Sequence, residues 1–277
     1  MSLVIAGLQH AGSLGDVAAN LKTIDEAARA ARAAGADVLV TPEMFLTGYN
    51  LGDRLPELVP DDPAAMLGEI ARRHGIAIVA GAPERLAGGG IANSAIFVDA
   101  DGAVLLRYRK SHLFGQLDRA MFEPGDRLSP LVRYRGVGFA VMICYDVEFP
   151  ETVRSAAMAG ADVVLVPTAQ MEPYVHIAER LIPVRAWESQ VYVAYIDRCG
   201  SEGDLRYVGR SSIAAPSGDI VDSLGASDEG LIYATIDPAV VRAAREENPY
   251  LADRRANLYL EFDDEPGPSA PAKGVTA

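Results

Sequence analysis

The chain has 277 residues, with 38 Asp and Glu against 25 Lys and Arg and a formal net charge of −13. Such a surface repels polyanions, which argues against a nucleic-acid partner. Two cysteines make no disulfide framework, no apolar run reaches the length of a membrane span, and Met1-Ser2-Leu3-Val4-Ile5 enters a strand pattern without the basic segment of a signal peptide. The expectation is a cytoplasmic protein with one large α/β domain.

Strands and helices alternate along the chain. Leu3–Gln9 reads as a strand. Residues 16–34 read as an Ala-rich helix, with Leu21, Ile24 and Ala28 on one stripe and Asp16 placed to cap it. The short apolar strand Val38-Leu39-Val40 ends in Thr41-Pro42, and a carboxylate, Glu43, follows at once. A helix over 64–74 leads to a strand over 76–80. Strands at 91–98 and 104–108 are joined by Asp101-Gly102, a hairpin signal, and just past the second stands Lys110. The run from Gly138 to Ile143 reads as a buried strand ending at Cys144. After it come an acidic segment with Pro150, a helix over 151–159, a strand over 163–166, a helix over 177–189 and a strand over 191–196. Short strands follow at 212–215, 220–221 and 231–236, with Ser217-Gly218-Asp219 as a hairpin turn. The end of the chain, 263–277, is rich in Pro, Gly, Ala and acids with little to bury, and is expected to be flexible or to wrap a neighbouring subunit.

A thiol at a strand-to-helix turn presents its sulfur at a sheet edge, where amides of the helix start can face a developing oxyanion. The bland alternative for Cys144 is a small core residue. Taken singly, Glu43 and Lys110 read as a surface carboxylate and a solvated lysine. Together the three lie just past the carboxyl ends of strands, the edge at which open α/β sheets form ligand sites. The histidines, His10, His74, His112 and His176, show no metal-ligand spacing with the cysteines. His112 reads as a structural hydrogen-bonding residue and Cys199 as a packed core thiol.

Three segments, Pro42-Glu43 with Thr47-Gly48-Tyr49, Arg109-Lys110-Ser111-His112-Leu113-Phe114, and Cys144-Tyr145-Asp146 with Phe149-Pro150-Glu151, resemble in content and order those of the nitrilase superfamily of carbon–nitrogen hydrolases. The resemblance covers about residues 3–260. It implies a four-layer α-β-β-α sandwich, a carbon–nitrogen hydrolase domain over 1–262, and at least a homodimer. It implies too that the internal similarity of Ala33-Ala34-Gly35-Ala36-Asp37-Val38 to Met158-Ala159-Gly160-Ala161-Asp162-Val163 marks a pseudo-twofold pair of sheets. Trp187 and Glu188 fall on a helix that in the family leads to a core strand and subunit contacts.

For chemistry, the resemblance implies a Glu43, Lys110, Cys144 triad that hydrolyses an amide without metal or organic cofactor. A cysteine near its free pKa is only a few per cent thiolate at pH 7, so Glu43 takes its proton during attack. Lys110 and the Tyr145 amide are the expected oxyanion donors. Tyr145, Asp118, Tyr49, Glu148 and Ala169 are the expected oxyanion and substrate contacts. Many relatives carry a second glutamate after the lysine motif. Asp118 falls nearest that position, one methylene shorter, where it would orient Lys110 or the substrate, a water filling the gap if the side chain is too short.

Two features bear on substrate. Nitrilases tend to have Trp after the nucleophile, so Tyr145 favours amides over nitriles. Glu148 stands where amidases for ω-amides of dicarboxylic acids often carry Arg, and a carboxylate there repels a carboxylate substrate. The expectation is a small neutral or cationic carboxamide. N-carbamoyl hydrolysis, ω-amidase, nitrilase and a scaffold with a silent triad are the alternatives. If Glu148 is instead structural, Arg154 is its expected partner.

Overall fold

The computed structural model describes residues 2–259. The strands, in chain order, are β1 (Leu3–Gln9), β2 (Val38–Val40), β3 (Ala77–Arg85), β4 (Ile91–Val98), β5 (Val104–Arg109), β6 (Val132–Tyr134), β7 (Val137–Val141), β8 (Val163–Pro167), β9 (Tyr192–Ile196), β10 (Ser201–Glu202), β11 (Leu205–Arg206), β12 (Ser212–Ala214), β13 (Ile220–Ser223) and β14 (Gly230–Ile236). The helices are α1 (Val17–Ala33), α2 (Leu55–Leu58), α3 (Pro63–His74), α4 (Gly115–Met121), α5 (Pro150–Met158), α6 (Ile182–Ser189), α7 (Pro238–Glu247) and α8 (Tyr250–Asp253).

Two six-stranded sheets form, in the orders β14-β1-β2-β3-β4-β5 and β13-β12-β9-β8-β7-β6. In each, three neighbouring strands run parallel, β1-β2-β3 and β7-β8-β9, and antiparallel strands flank them. These strands read as unbroken apolar runs because both faces are covered. Side chains still alternate between faces. Val38 and Val40 join Phe97, Phe139, Leu165 and Ile196 in the core between the sheets, whereas Leu39 packs outward with Ile24 and Ala28 of α1 and Leu67 of α3. On the other outer face Val164 and Val193 meet Val153 of α5 and Ala186 of α6. The result is the α-β-β-α sandwich. The two sheets approach closely at Gly7, where a Cβ would lie 2.1 Å from Ile196 Cδ1 and force that side chain to shift.

The internal similarity is a structural repeat. Gly35 and Gly160 both take a left-handed φ, +89° and +96°, after α1 and α5. Ala36 and Ala161 each donate to a carbonyl five residues back, Ala31 at 2.9 Å and Ala156 at 3.0 Å. Asp37 Oδ2 accepts from the Val4 amide (3.0 Å) and Asp162 Oδ2 from the Gly138 amide (2.7 Å), so each aspartate sews the central strand to its neighbour.

Asp16 caps α1, its Oδ1 accepting from the Ala19 amide at 2.9 Å. Some boundaries differ from those read in the sequence. The strand expected over 76–80 continues to Arg85 because its partner β4 matches it residue for residue to Ile91. The helix expected over 177–189 opens with a wider π turn, Ile177–Leu181, before α6. Helices α4 and α7 were not anticipated. Among the described residues no helix is long and apolar enough to cross a membrane. The boundary at 262 and the segment 263–277 lie outside the described residues.

Candidate active site

Glu43 follows β2 through Thr41-Pro42 and is completely buried. The loop passes so close over β3 that position 81 must be glycine: a Cβ there would meet Met44 N at 2.4 Å and Pro42 O at 2.5 Å. The Glu43 amide donates to Thr168 O (3.2 Å), just past β8 in the other sheet. Its side-chain Oε1 accepts from Asn93 Nδ2 and from Lys110 Nζ, both at 2.7 Å. Its Oε2 is buried and has no hydrogen-bond partner, so one lone-pair set of a desolvated carboxylate is left for a ligand or a proton.

Lys110 leaves β5 and is 1% exposed. Its Nζ also donates to Asp118 Oδ2 at 2.8 Å. Asp118, on α4, accepts at the same oxygen from the Phe114 amide (2.8 Å) and at Oδ1 from the Tyr49 hydroxyl. The shorter side chain therefore reaches Lys110 directly, with no gap for a water to bridge. Helix α4 brings the aspartate in, which a reading of the loop could not anticipate. Solvated surface positions for Glu43 and Lys110 are excluded by their burial.

Cys144 opens the 3-10 turn Cys144–Glu148 immediately past β7. Its φ is +46°, a left-handed conformation that a non-glycine residue holds only when its surroundings impose it. Asp146 does so. Its Oδ2 accepts from the Ile143 amide (3.1 Å) and Tyr108 hydroxyl (2.8 Å), and its Oδ1 from the His112 amide (2.9 Å), with the His112 ring at 2.8 Å. Arg185 of α6 clamps the far end, donating to Val147 O at 2.9 Å and Glu148 O at 2.5 Å. Arg154, the partner anticipated for Glu148, instead lines a separate groove with Trp187 and Tyr250. Trp187 is exposed, and Glu188 pairs with Arg185 at 2.7 Å.

The Cys144 thiol donates to Gln170 Oε1 at 3.5 Å. It borders a narrow cleft that Tyr49, Tyr145, Glu148, Ala169 and Gln170 also line. Phe114 and Tyr174 add an aromatic wall, with Phe114 5.3 Å from the Tyr145 ring and 5.9 Å from that of Tyr174. The Tyr145 amide lies in the first turn of the 3-10 segment, where main-chain N–H groups lack intrahelical acceptors. Asn93, Gln170 and Tyr174 escaped the sequence reading, since an amide or a phenol in a strand or loop carries no motif of its own.

Burial pushes the Cys144 thiol well above its usual value, and the Glu43 charge adds to this against Lys110 and the Ala169 amide. At neutral pH the resting sulfur is a thiol. Burial also raises the Glu43 carboxyl, with Lys110 opposing and Asp118 reinforcing the shift. Burial by itself would lower Lys110, yet the negative charge of Glu43 foremost, with Asp118 adding to it, outweighs burial and holds the ammonium well above its usual value. Two carboxylates around one ammonium leave the cluster a spare negative charge, which adds to the effect of burial on Glu43. Cys199 is buried away from this pocket, its thiol pushed up to about 11 chiefly by desolvation. Among the described residues no group of His, Cys, Asp and Glu is arranged to hold a metal ion.

Comparison with known proteins gives a consistent neighbourhood. The family model described as carbon-nitrogen hydrolase matches residues 4–246. The chain is 46% identical to a protein of Pseudomonas protegens described as a hydrolase in the pqqF 5' region, over 88% of this chain and 86% of that one. It is 35% identical to an (R)-stereoselective amidase of a Pseudomonas species, over 94% of both. A solved structure of a mutant amidase from Nesterenkonia sp. AN1, with the acetamide moiety of fluoroacetamide added covalently at its active-site cysteine, superposes with a TM-score of 0.85, at 36% identity over 94% of this chain and 96% of that one.

Proposed function

The chain belongs to the carbon–nitrogen hydrolase family of the nitrilase superfamily, and we propose that it hydrolyses a small neutral or cationic carboxamide to the carboxylic acid and ammonia through a thioester on Cys144. One observation carries this reading. Three strand ends deliver Glu43, Lys110 and the pocket-lining thiol of Cys144 to one buried cluster, in which Glu43 keeps an unpartnered oxygen. Amidase relatives, and the covalent addition of the acetamide moiety of fluoroacetamide at the active-site cysteine of the Nesterenkonia enzyme, which shows that thiol to be nucleophilic, support it.

The substrate carbonyl enters above Cys144. Glu43 takes the thiol proton as sulfur bonds to the carbonyl carbon. Charge moves to the carbonyl oxygen, which Lys110 Nζ and the Tyr145 amide stabilise; one such donor is worth about 2.7–4 kcal/mol in the transition state. Protonated Glu43 passes its proton to the nitrogen, the C–N bond breaks and ammonia leaves. A water then attacks the thioester while Glu43 takes its proton, the C–S bond breaks, and the acid departs as the thiol is restored. A carboxyl raised by burial suits this double duty, because a base poised nearer neutral pH also returns the proton easily. Asp118 and Tyr49 hold Lys110 in place. The small pocket limits the acyl group. The acidic chain with two free cysteines fits a cytoplasmic enzyme, with the hydrolase domain running to about residue 262 and at least two copies assembling.

The test is Cys144→Ala. The variant should fold and release no ammonia above background from a panel of small amides, and mass spectrometry of wild type with a slow substrate should place the acyl adduct on the Cys144 peptide and not on Cys199. Turnover by the folded variant would remove the covalent mechanism, and carbon dioxide released with the ammonia would redirect it to a carbamoyl substrate.

A further inference from the structure

Glu43 belongs to one sheet and Cys144 to the other, so their relative placement depends on what ties the two sheets together at this edge. The segment after β9 supplies a tie. Arg198 is fully buried. Its Nη1 donates to Glu202 Oε1 at 2.5 Å and to Ala11 O at 2.8 Å, its Nε to Glu43 O at 3.4 Å, and the guanidinium lies 5.4 Å from the Phe45 ring centroid. Glu202 Oε2 accepts from the amides of Tyr49 (2.9 Å) and Asn50 (2.8 Å) and from the Tyr207 hydroxyl (2.8 Å). One carboxylate thus anchors the loop that runs from Glu43 to Tyr49. The same segment also grips the other side. Val208 N donates to Gln170 O at 2.8 Å, and Asp197 Oδ1 accepts from Gln170 N at 2.8 Å, Gln170 being the residue on the Cys144 thiol.

A buried ion pair is poor evidence for stability, since desolvation consumes most of what the pairing returns. Its better use is to impose one geometry. We propose that Arg198 and Glu202 are positioning residues that set the placement of Glu43 and Tyr49 relative to Cys144 across the two sheets. This rests on the reading of Glu43 as the base, and it adds two residues that touch no substrate.

Glu202→Gln keeps the volume and one acceptor oxygen but abolishes the ion pair. The folded variant should lose about 10- to 100-fold in kcat, the scale of a small misplacement of reacting groups, with KM within about threefold and alkylation of Cys144 by iodoacetamide slowed in parallel. A purely structural pair would lower Tm and leave kcat and alkylation untouched at temperatures well below unfolding. A folded Glu202→Gln enzyme with wild-type kcat overturns the proposal. If Glu202→Gln does not fold, Tyr207→Phe removes one donor to the same oxygen and should lower kcat several-fold; an unchanged kcat there overturns it equally. Glu43→Gln separates the two readings. An active Glu43→Gln enzyme removes the base itself, whereas an inactive one beside a fully active Glu202→Gln enzyme removes only the positioning pair.

Discussion

At the scale of single residues, the proposed preference for neutral or cationic amides turns on Glu148. Its side chain borders the pocket, and burial raises its carboxyl, with Lys110, Arg185 and Gln170 opposing. Arg185 pairs with Glu188 and with the carbonyls of Val147 and Glu148, so its hydrogen bonds bypass the Glu148 carboxylate. A carboxylate substrate would therefore bring like charge into a partly desolvated site, at a cost of several kcal/mol at close range. Short neutral amides should show higher kcat/KM than ω-amides with a free carboxylate, and Glu148→Arg should narrow or reverse the difference. A wild type that prefers the carboxylate-bearing amides by tenfold, about 1.4 kcal/mol, would refute this and favour the ω-amidase alternative. The motif residues were legible here because chemistry restricts their type. Asn93, Gln170, Arg198 and Glu202 were not, because their roles consist of contacts with residues distant in sequence.

Among elements, the decisive joint is between the β5–α4 connection and the turn that carries Cys144. His112 makes it through Asp146 while its ring stacks on Phe149 at 4.1 Å. The Asp146 hydrogen bond raises the His112 pKa, against the effect of burial. A histidine whose folded value exceeds its unfolded value, about 6.5, stabilises the fold fully below that unfolded value. The contribution is lost as pH rises through the folded value. His112→Phe keeps the stacked ring and removes the proton. Its Tm deficit relative to wild type should be largest below about pH 6.5 and shrink as pH rises through the raised folded value; a deficit that grows with pH would contradict the assignment. Element signals in the sequence were strongest where a cap or a glycine punctuates the chain, as at Asp16, Gly35 and Gly160. Helix α7 carried such a signal too, Asp237 accepting from the Ala239 amide at 2.8 Å ahead of Pro238, and was passed over. Helix α4 has no capping side chain and is fastened instead by Asp118, which accepts from Lys110 and from the Phe114 amide.

For the whole molecule, the outer face of α5, α6 and α8 exposes Met158, Val184, Trp187 and Tyr250, with Trp187 and Tyr250 rings 6.0 Å apart. Apolar surface gathered on one face is what association buries. Light scattering at micromolar concentration should give at least twice the chain mass of 29.4 kDa; a species at the monomer mass would count against assembly.

Local rules determined most of the elements. A period-2 or period-3.6 pattern, a capping aspartate or a left-handed glycine acts over a few residues, and the sequence displays them directly. The types and order of Glu43, Lys110 and Cys144 were equally legible, because each follows a strand end at which the backbone must turn. What only the tertiary structure decided was distance. The placement of Glu43 against Lys110, the direct reach of Asp118, the unpartnered Glu43 oxygen and the Arg198–Glu202 tie all arise where strand ends and their connecting loops converge at one buried edge. Distances between side chains from different elements are set by side-chain volume and by the burial of charge, and neither is written in the local pattern of the chain.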